Sequence, residues 1–154
     1  MKLKYSLTAL LASCGAVHGA NLLTPGDAII AIGAFGTESG YPGAEAPSAV
    51  IDGNTGTKYL NFGKTNSGFI VTPGSGSSTA QSAVFRTAND AEGRDPKQVS
   101  IYGTNDSITS IDNGTGNNEN WSLISSFDAN LPGARLTTSA PIDFTNGTSY
   151  SSYR

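Results

Sequence analysis

A chain of 154 residues is one domain long and large enough to bury a core; with 14% charged residues and 19 glycines, its composition is that of short strands joined by turns. Cys14, His18 and Met1 are the only residues of their kinds, and all three fall in the first twenty positions. A domain beginning after them can hold no disulfide, no imidazole or thiolate metal site, and no Ser-His-Asp or Cys-His nucleophile.

The chain starts as an export signal does. Met1-Lys2-Leu3-Lys4 is a short basic start, residues 5–12 are an apolar run too short to span a membrane, and small residues continue to Ala20. Cleavage after Ala20 leaves residues 21–154 as the mature domain. Cleavage after Ala16 is the rival, because His18 is not the small residue the peptidase prefers. Leu11-Ala12-Ser13-Cys14 also resembles a lipobox, through which Cys14 would be lipidated and anchor the chain. The expected location is therefore extracellular or in the cell envelope. Without Lys2 and Lys4 the mature domain has seven basic residues against twelve acidic ones, a formal charge of −5. An acidic domain with no basic run is a poor partner for nucleic acid.

In chain order, Thr24-Pro25-Gly26-Asp27 reads as a turn and residues 28–32 as a first apolar strand. Residues 36–46 read as a loop with Tyr41 exposed on it. Residues 47–51 read as one helical turn with Pro47 at its first position, where the missing N–H costs nothing. Short strands are expected over residues 59–62, 68–72 and 82–87, with a flexible Gly/Ser/Thr loop at 74–81. After the polar connection 87–96, residues 98–103 alternate cleanly, placing Val99 and Ile101 in the core. Trp121 heads a strand to Phe127 whose phase slips, which predicts a β-bulge. Residues 134–138 and 142–144 are the last strand candidates before Asn146-Gly147, a tight-turn signal. Residues 150–154 begin an alternating run and stop, which reads as a β-sandwich truncated before its last strand, with an unpaired edge.

The chain is organised around residues 49–62. Asp52, Asn54 and Thr57 stand at i, i+2 and i+5, with Gly53 and Gly56 between them to let the backbone turn sharply. Such a loop can close around one hard cation, since calcium takes oxygen ligands. Asp, Asn, Gly and Thr are also ordinary turn residues.

The order of these features resembles the discoidin, or coagulation factor 5/8 type C, domains and the related family 32 carbohydrate-binding modules. The resemblance rests on Ala49-Val50-Ile51-Asp52-Gly53-Asn54 with Thr57, on Arg94-Asp95-Pro96, on residues 99–106, on Trp121, and on Tyr150 to the end. It is also similar to the subset found in exported bacterial proteins with a PEP-CTERM sorting tail, although no such tail follows here. The resemblance implies an all-β, galactose-binding-like jelly roll with a structural calcium. Carried onto this sequence, the ligands are the Ala49 carbonyl, Asp52, the Asn54 carbonyl and Thr57; the glutamate that completes the cage in the family has no counterpart before Arg154.

The remaining candidates each have a bland reading beside the sharp one. Arg94 beside Asp95 fits an anionic or sugar ligand, but more often such an arginine is tied to a neighbouring carboxylate such as Asp90 or Asp95. Trp121 could stack on a sugar ring, yet at the head of an apolar strand it reads as core. Tyr41 and Tyr59 flank the anchor loop as surface aromatics. A hydrolase needs two carboxylates about 5–10 Å apart across a cleft, and the twelve acids here sit in undistinguished turns. Four Asn-X-Ser/Thr sequons, at Asn105, Asn113, Asn120 and Asn146, read as turn chemistry. The expectation is a secreted, non-catalytic module that binds carbohydrate or a cell-surface or matrix ligand, the alternative being an adhesive envelope protein with no small-ligand site.

Overall fold

The computed structural model describes residues 20–33 and 40–154, so residues 1–19, which hold Cys14 and nearly all of the expected export signal, and residues 34–39 lie outside the described residues. The chain is mostly β. Among the described residues seven strands form, β1 (Ala28–Ile32), β2 (Gly68–Thr72), β3 (Ser82–Ala83), β4 (Gln98–Thr104), β5 (Ser122–Asp128), β6 (Ile142–Asp143) and β7 (Ser152–Tyr153). Five make an antiparallel sheet in the order β1-β2-β7-β4-β5, and β3 pairs with β6 in a second, two-stranded antiparallel sheet.

The apolar runs Ala-Ile-Ile-Ala-Ile and Gly-Phe-Ile-Val-Thr pair residue for residue, from Ala28 opposite Thr72 to Ile32 opposite Gly68. Their β-branched side chains fit a pleated, buried surface. Ala31, Ile32, Ile70 and Val71 are buried there, with Tyr153 from the central strand. The second sheet meets the first through aromatics. Phe127 on β5 stacks on Phe144 with centroids 6.0 Å apart and lies 6.4 Å from Phe85. Those two rings directly follow β6 and lie just past β3, so one stack joins the two sheets.

Several expectations hold. Residues 47–50 form a 3-10 turn with proline at its start. The bulge is present on β5: Ile101 faces Ser125 and Tyr102 faces Leu123, leaving Ile124 without an opposite residue. Val99 and Ile101 alternate with the exposed Gln98 and Ser100 as expected, but they are half-buried and outside the fully buried core.

Others are corrected. Residues 59–62 form no strand; Leu60 N donates to Glu45 O and Phe62 N to Gly40 O, so the segment is stitched to the 40–45 loop. The strand at 82–87 stops after Ala83, and residues 134–138 contribute only the bridge between Thr138 and Arg86. The 74–81 loop is pinned, because Ser78 and Tyr150 exchange two backbone hydrogen bonds of 3.0 and 2.8 Å and Tyr153 donates its hydroxyl proton to Ser78 O. Asn146-Gly147 is not a hairpin turn: the Asn146 side chain is buried and donates to Ala80 O at 3.0 Å. The final run forms no open edge, since β7 lies between β2 and β4 in the middle of the large sheet. Trp121 is half-buried, with its indole N–H donated to Gly116 O at 2.9 Å.

Candidate functional site

Because β2 and β4 both run antiparallel to β7, they run parallel to each other, and the end of β1, the starts of β2 and β4 and the end of β5 all lie at one end of the sheet. The connections 40–67, 86–97 and 129–137 meet at that end. An ion-pair network joins them. Lys58 Nζ lies 2.8 Å from Asp90 Oδ1 and 3.4 Å from Glu45 Oε1, and Arg94 reaches the same Asp90 oxygen at 3.5 Å. Arg135 grips Asp95 with both terminal nitrogens, at 3.2 and 2.6 Å, and donates to Asp90 O at 3.2 Å.

The electrostatics follow from these contacts. The hydrogen bond to Asp90, against an opposing effect of burial, raises the Lys58 ammonium pKa, and the same bond holds the Asp90 carboxyl below its ordinary value. The Asp95 hydrogen bonds raise the Arg135 pKa, also against burial. Arg94 approaches Asp90, one of the two carboxylates weighed for it, while Asp95 pairs with Arg135. Glu45 Oε2 and Arg135 Nε are buried with no hydrogen-bond partner among the described residues.

Tyr41 and Tyr59 do come together. Their rings meet edge to face at 6.5 Å, and Tyr59 in turn meets Phe69 of β2 at 6.3 Å. Tyr41 donates its hydroxyl proton to Asp112 Oδ2 at 2.9 Å, which raises its pKa chiefly through that hydrogen bond. Tyr59 donates to Gly68 O at 2.8 Å. Beside them Phe62 stands 60% exposed. The path from Tyr59 to Arg94 runs through the adjacent Lys58 and through Asp90.

The anchor loop folds on itself. Asp52 Oδ1 accepts from Asn54 N at 2.7 Å, and Thr57 Oγ1 lies 2.7 Å from Asp52 Oδ2 and 2.8 Å from Asn54 O. Asn54 Oδ1 accepts from Gly56 N at 2.9 Å. Ala49 sits in the 3-10 turn that leads into the loop. The Asp52, Asn54 and Thr57 oxygens named for the metal therefore converge, and a donor set of carboxylate, carbonyl and hydroxyl fits a hard cation in kind. Asp52 supplies the formal charge alone: among the described residues no group of three or more His, Cys, Asp or Glu gathers in metal-binding fashion.

Sequence reasoning missed Lys58, Asp112 and Arg135. Lys58 directly follows Thr57, so the anchor loop is joined to the ion network, but Asp112 and Arg135 reach partners 71 and 40 residues away. No local pattern announces pairs so distant. The four sequon asparagines all spend their side-chain amides within the fold, on Ser149 O, Asp112, Asp106 and Ala80 O. No helix among the described residues is long and apolar enough to cross a membrane. Compared with protein-family models and with curated proteins, the chain matches none.

Proposed function

We propose that the mature chain is an extracellular, non-catalytic binding module, a discoidin-like jelly roll that takes carbohydrate or another cell-surface ligand at its loop end. The reading is supported by the edge-to-face Tyr41–Tyr59 pair and the exposed Phe62 ring in the 40–67 connection, and by the Asp90–Arg94 pair to which Lys58 of that connection is tied, since aromatic faces and paired polar groups are what a sugar ring uses. The two unpaired buried polar atoms at the same end add support, because departures from full hydrogen bonding gather at functional sites. A calcium ion at the Ala49, Asp52, Asn54 and Thr57 oxygens would supply structural charge neutralisation. Those residues orient the loop, and through Lys58 they fix its place against Asp90.

The test is affinity electrophoresis in gels carrying neutral polysaccharides, with Tyr41→Ala and Phe62→Ala beside the parent. Retention that falls about tenfold in both variants, or roughly 1.4 kcal/mol, supports the loop-end site. Retention unchanged in both removes it.

One set of contacts favours the alternative, an adhesive or structural envelope protein without a small-ligand site. Tyr41, Tyr59 and Arg94 already direct their polar atoms to Asp112, Gly68 and Asp90. Under that alternative no glycan retains the chain.

A further inference from the structure

Residues 105–121 leave β4 and return as β5, yet on the way they reach β1, at the opposite edge of the sheet. There Gly114 bridges Ile32 in parallel, Gly33 N donates to Gly114 O and Asn113 N to Ala31 O, each at 2.9 Å, and Ala31 N donates to Asp112 Oδ1 at 2.8 Å. The outward-facing backbone groups at the end of this edge strand, Ala31 N and O and the following Gly33 N, are thus occupied by a loop and one carboxylate. An open edge is a template for another chain, and at Ala31–Gly33 this one is covered. Gly116, at φ +69°, fits against Ile32 so tightly that a Cβ would stand 2.8 Å from Ile32 Cγ2.

One buried carboxylate holds the two limbs of this segment together. Glu119 is 7% exposed. Its Oε1 accepts from Thr109 N at 2.6 Å, Ser110 N at 2.7 Å and Thr109 Oγ1 at 3.2 Å, and its Oε2 accepts from Ser110 Oγ at 2.7 Å. Four neutral donors converge on one carboxylate, an arrangement that stabilises the anion and not the acid. We propose that residues 105–121 are a strap guarding the edge of β1, and that Glu119 is its acid-releasable latch.

Other charges face the latch. Arg154, next to β7, sends Nη1 to Gly116 O at 3.0 Å and to Asn117 Oδ1 at 2.8 Å, and its guanidinium lies 5.9 Å from the Tyr102 ring on β4. Within the strap, Asp106 holds Asn120, and Asp112 holds Ala31 while accepting from Tyr41 of the 40–46 loop. Burial alone would raise the Glu119 pKa, but the Ser110 and Thr109 hydrogen bonds outweigh it, and the net shift is downward. A lowered folded value means the latch is closed above the ordinary glutamate range and opens as pH falls through the depressed value. The strap is therefore shut at neutral pH and released in acid.

Amide hydrogen exchange by NMR on residues 21–154 tests this without reference to any ligand. In Glu119→Gln at neutral pH, the Ala31, Gly33 and Asn113 amides are expected to exchange at least about tenfold faster, a strap opening easier by roughly 1.4 kcal/mol or more. The Ile30 and Ile32 amides, which face β2, keep their wild-type protection. In the wild-type chain, acidification reduces protection of the same three amides before it touches Ile30 and Ile32. Asp112→Ala separates the parts, freeing Ala31 while Gly33, whose amide is donated to Gly114 O, stays protected. Unchanged exchange of the three amides in Glu119→Gln overturns the proposal. So does a loss of protection that Ile30 and Ile32 share to the same extent, in the variant or in acid.

Discussion

Tyr150 lays its ring across Gly103 of β4 so closely that a Cβ on residue 103 would fall inside the ring's van der Waals surface. The same tyrosine meets Tyr153 edge to face at 6.2 Å, so the glycine makes room for the aromatic pair that brings the last strand into the sheet. Gly103→Ala is expected to lower stability by about 1–3 kcal/mol through overpacking. Urea unfolding measures it, and a midpoint equal to the parent's would show that Tyr150 does not rest there.

Ile70 is among the largest fully buried side chains, on the strand between β1 and β7. Ile70→Ala should cost about 2–5 kcal/mol, as a cavity in a closed core does. Leu123→Ser, at an exposed position on the edge strand β5, should change stability by no more than about 0.5 kcal/mol. Comparable costs at the two positions would contradict the placement of the core.

Arg94 and Arg135 each bring one charge to the loop end, but they are held differently. Arg135 makes a two-pronged contact with Asp95, whereas Arg94 makes a single longer approach to Asp90. A lysine cannot reproduce the fork. Arg135→Lys is expected to lower the melting temperature measurably and Arg94→Lys to leave it unchanged. Equal melting temperatures in the two variants would remove the distinction.

Legibility in the sequence tracked the range of the interaction. The Ile-rich run at 28–32, the alternation at 98–103, the phase slip before Phe127 and the proline-led turn at 47 were readable because each is fixed by neighbours a few residues away. Residues 59–62 alternate as a strand would, yet their backbone groups bond to Gly40 and Glu45. A two-fold pattern marks faces and not partners. Residues 150–154 read as an open run because nothing local shows that Tyr153 lies between Val71 and Gly103. At the candidate site, the Asp52, Asn54 and Thr57 convergence was legible from spacing alone, while the Tyr41–Asp112 and Asp95–Arg135 pairs were not.

The calcium reading makes its own prediction. If a cation binds the folded loop, melting in calcium at about one hundred times its dissociation constant should exceed melting in chelator by the equivalent of roughly 2.7 kcal/mol. Asp52→Asn, which removes the loop's only formal charge, should abolish the difference. Superimposable curves for the parent chain would sink the metal site while leaving the hydrogen-bonded turn intact.

The most direct measurement for the proposed binding role is a glycan array probed with residues 21–154 in calcium-containing buffer, alongside Tyr41→Ala. The expected result is retention on a defined group of glycans that weakens in the variant. Uniform absence of binding across neutral and acidic glycans, by a chain whose melting curve shows it folded, would contradict the carbohydrate reading and favour the adhesive alternative.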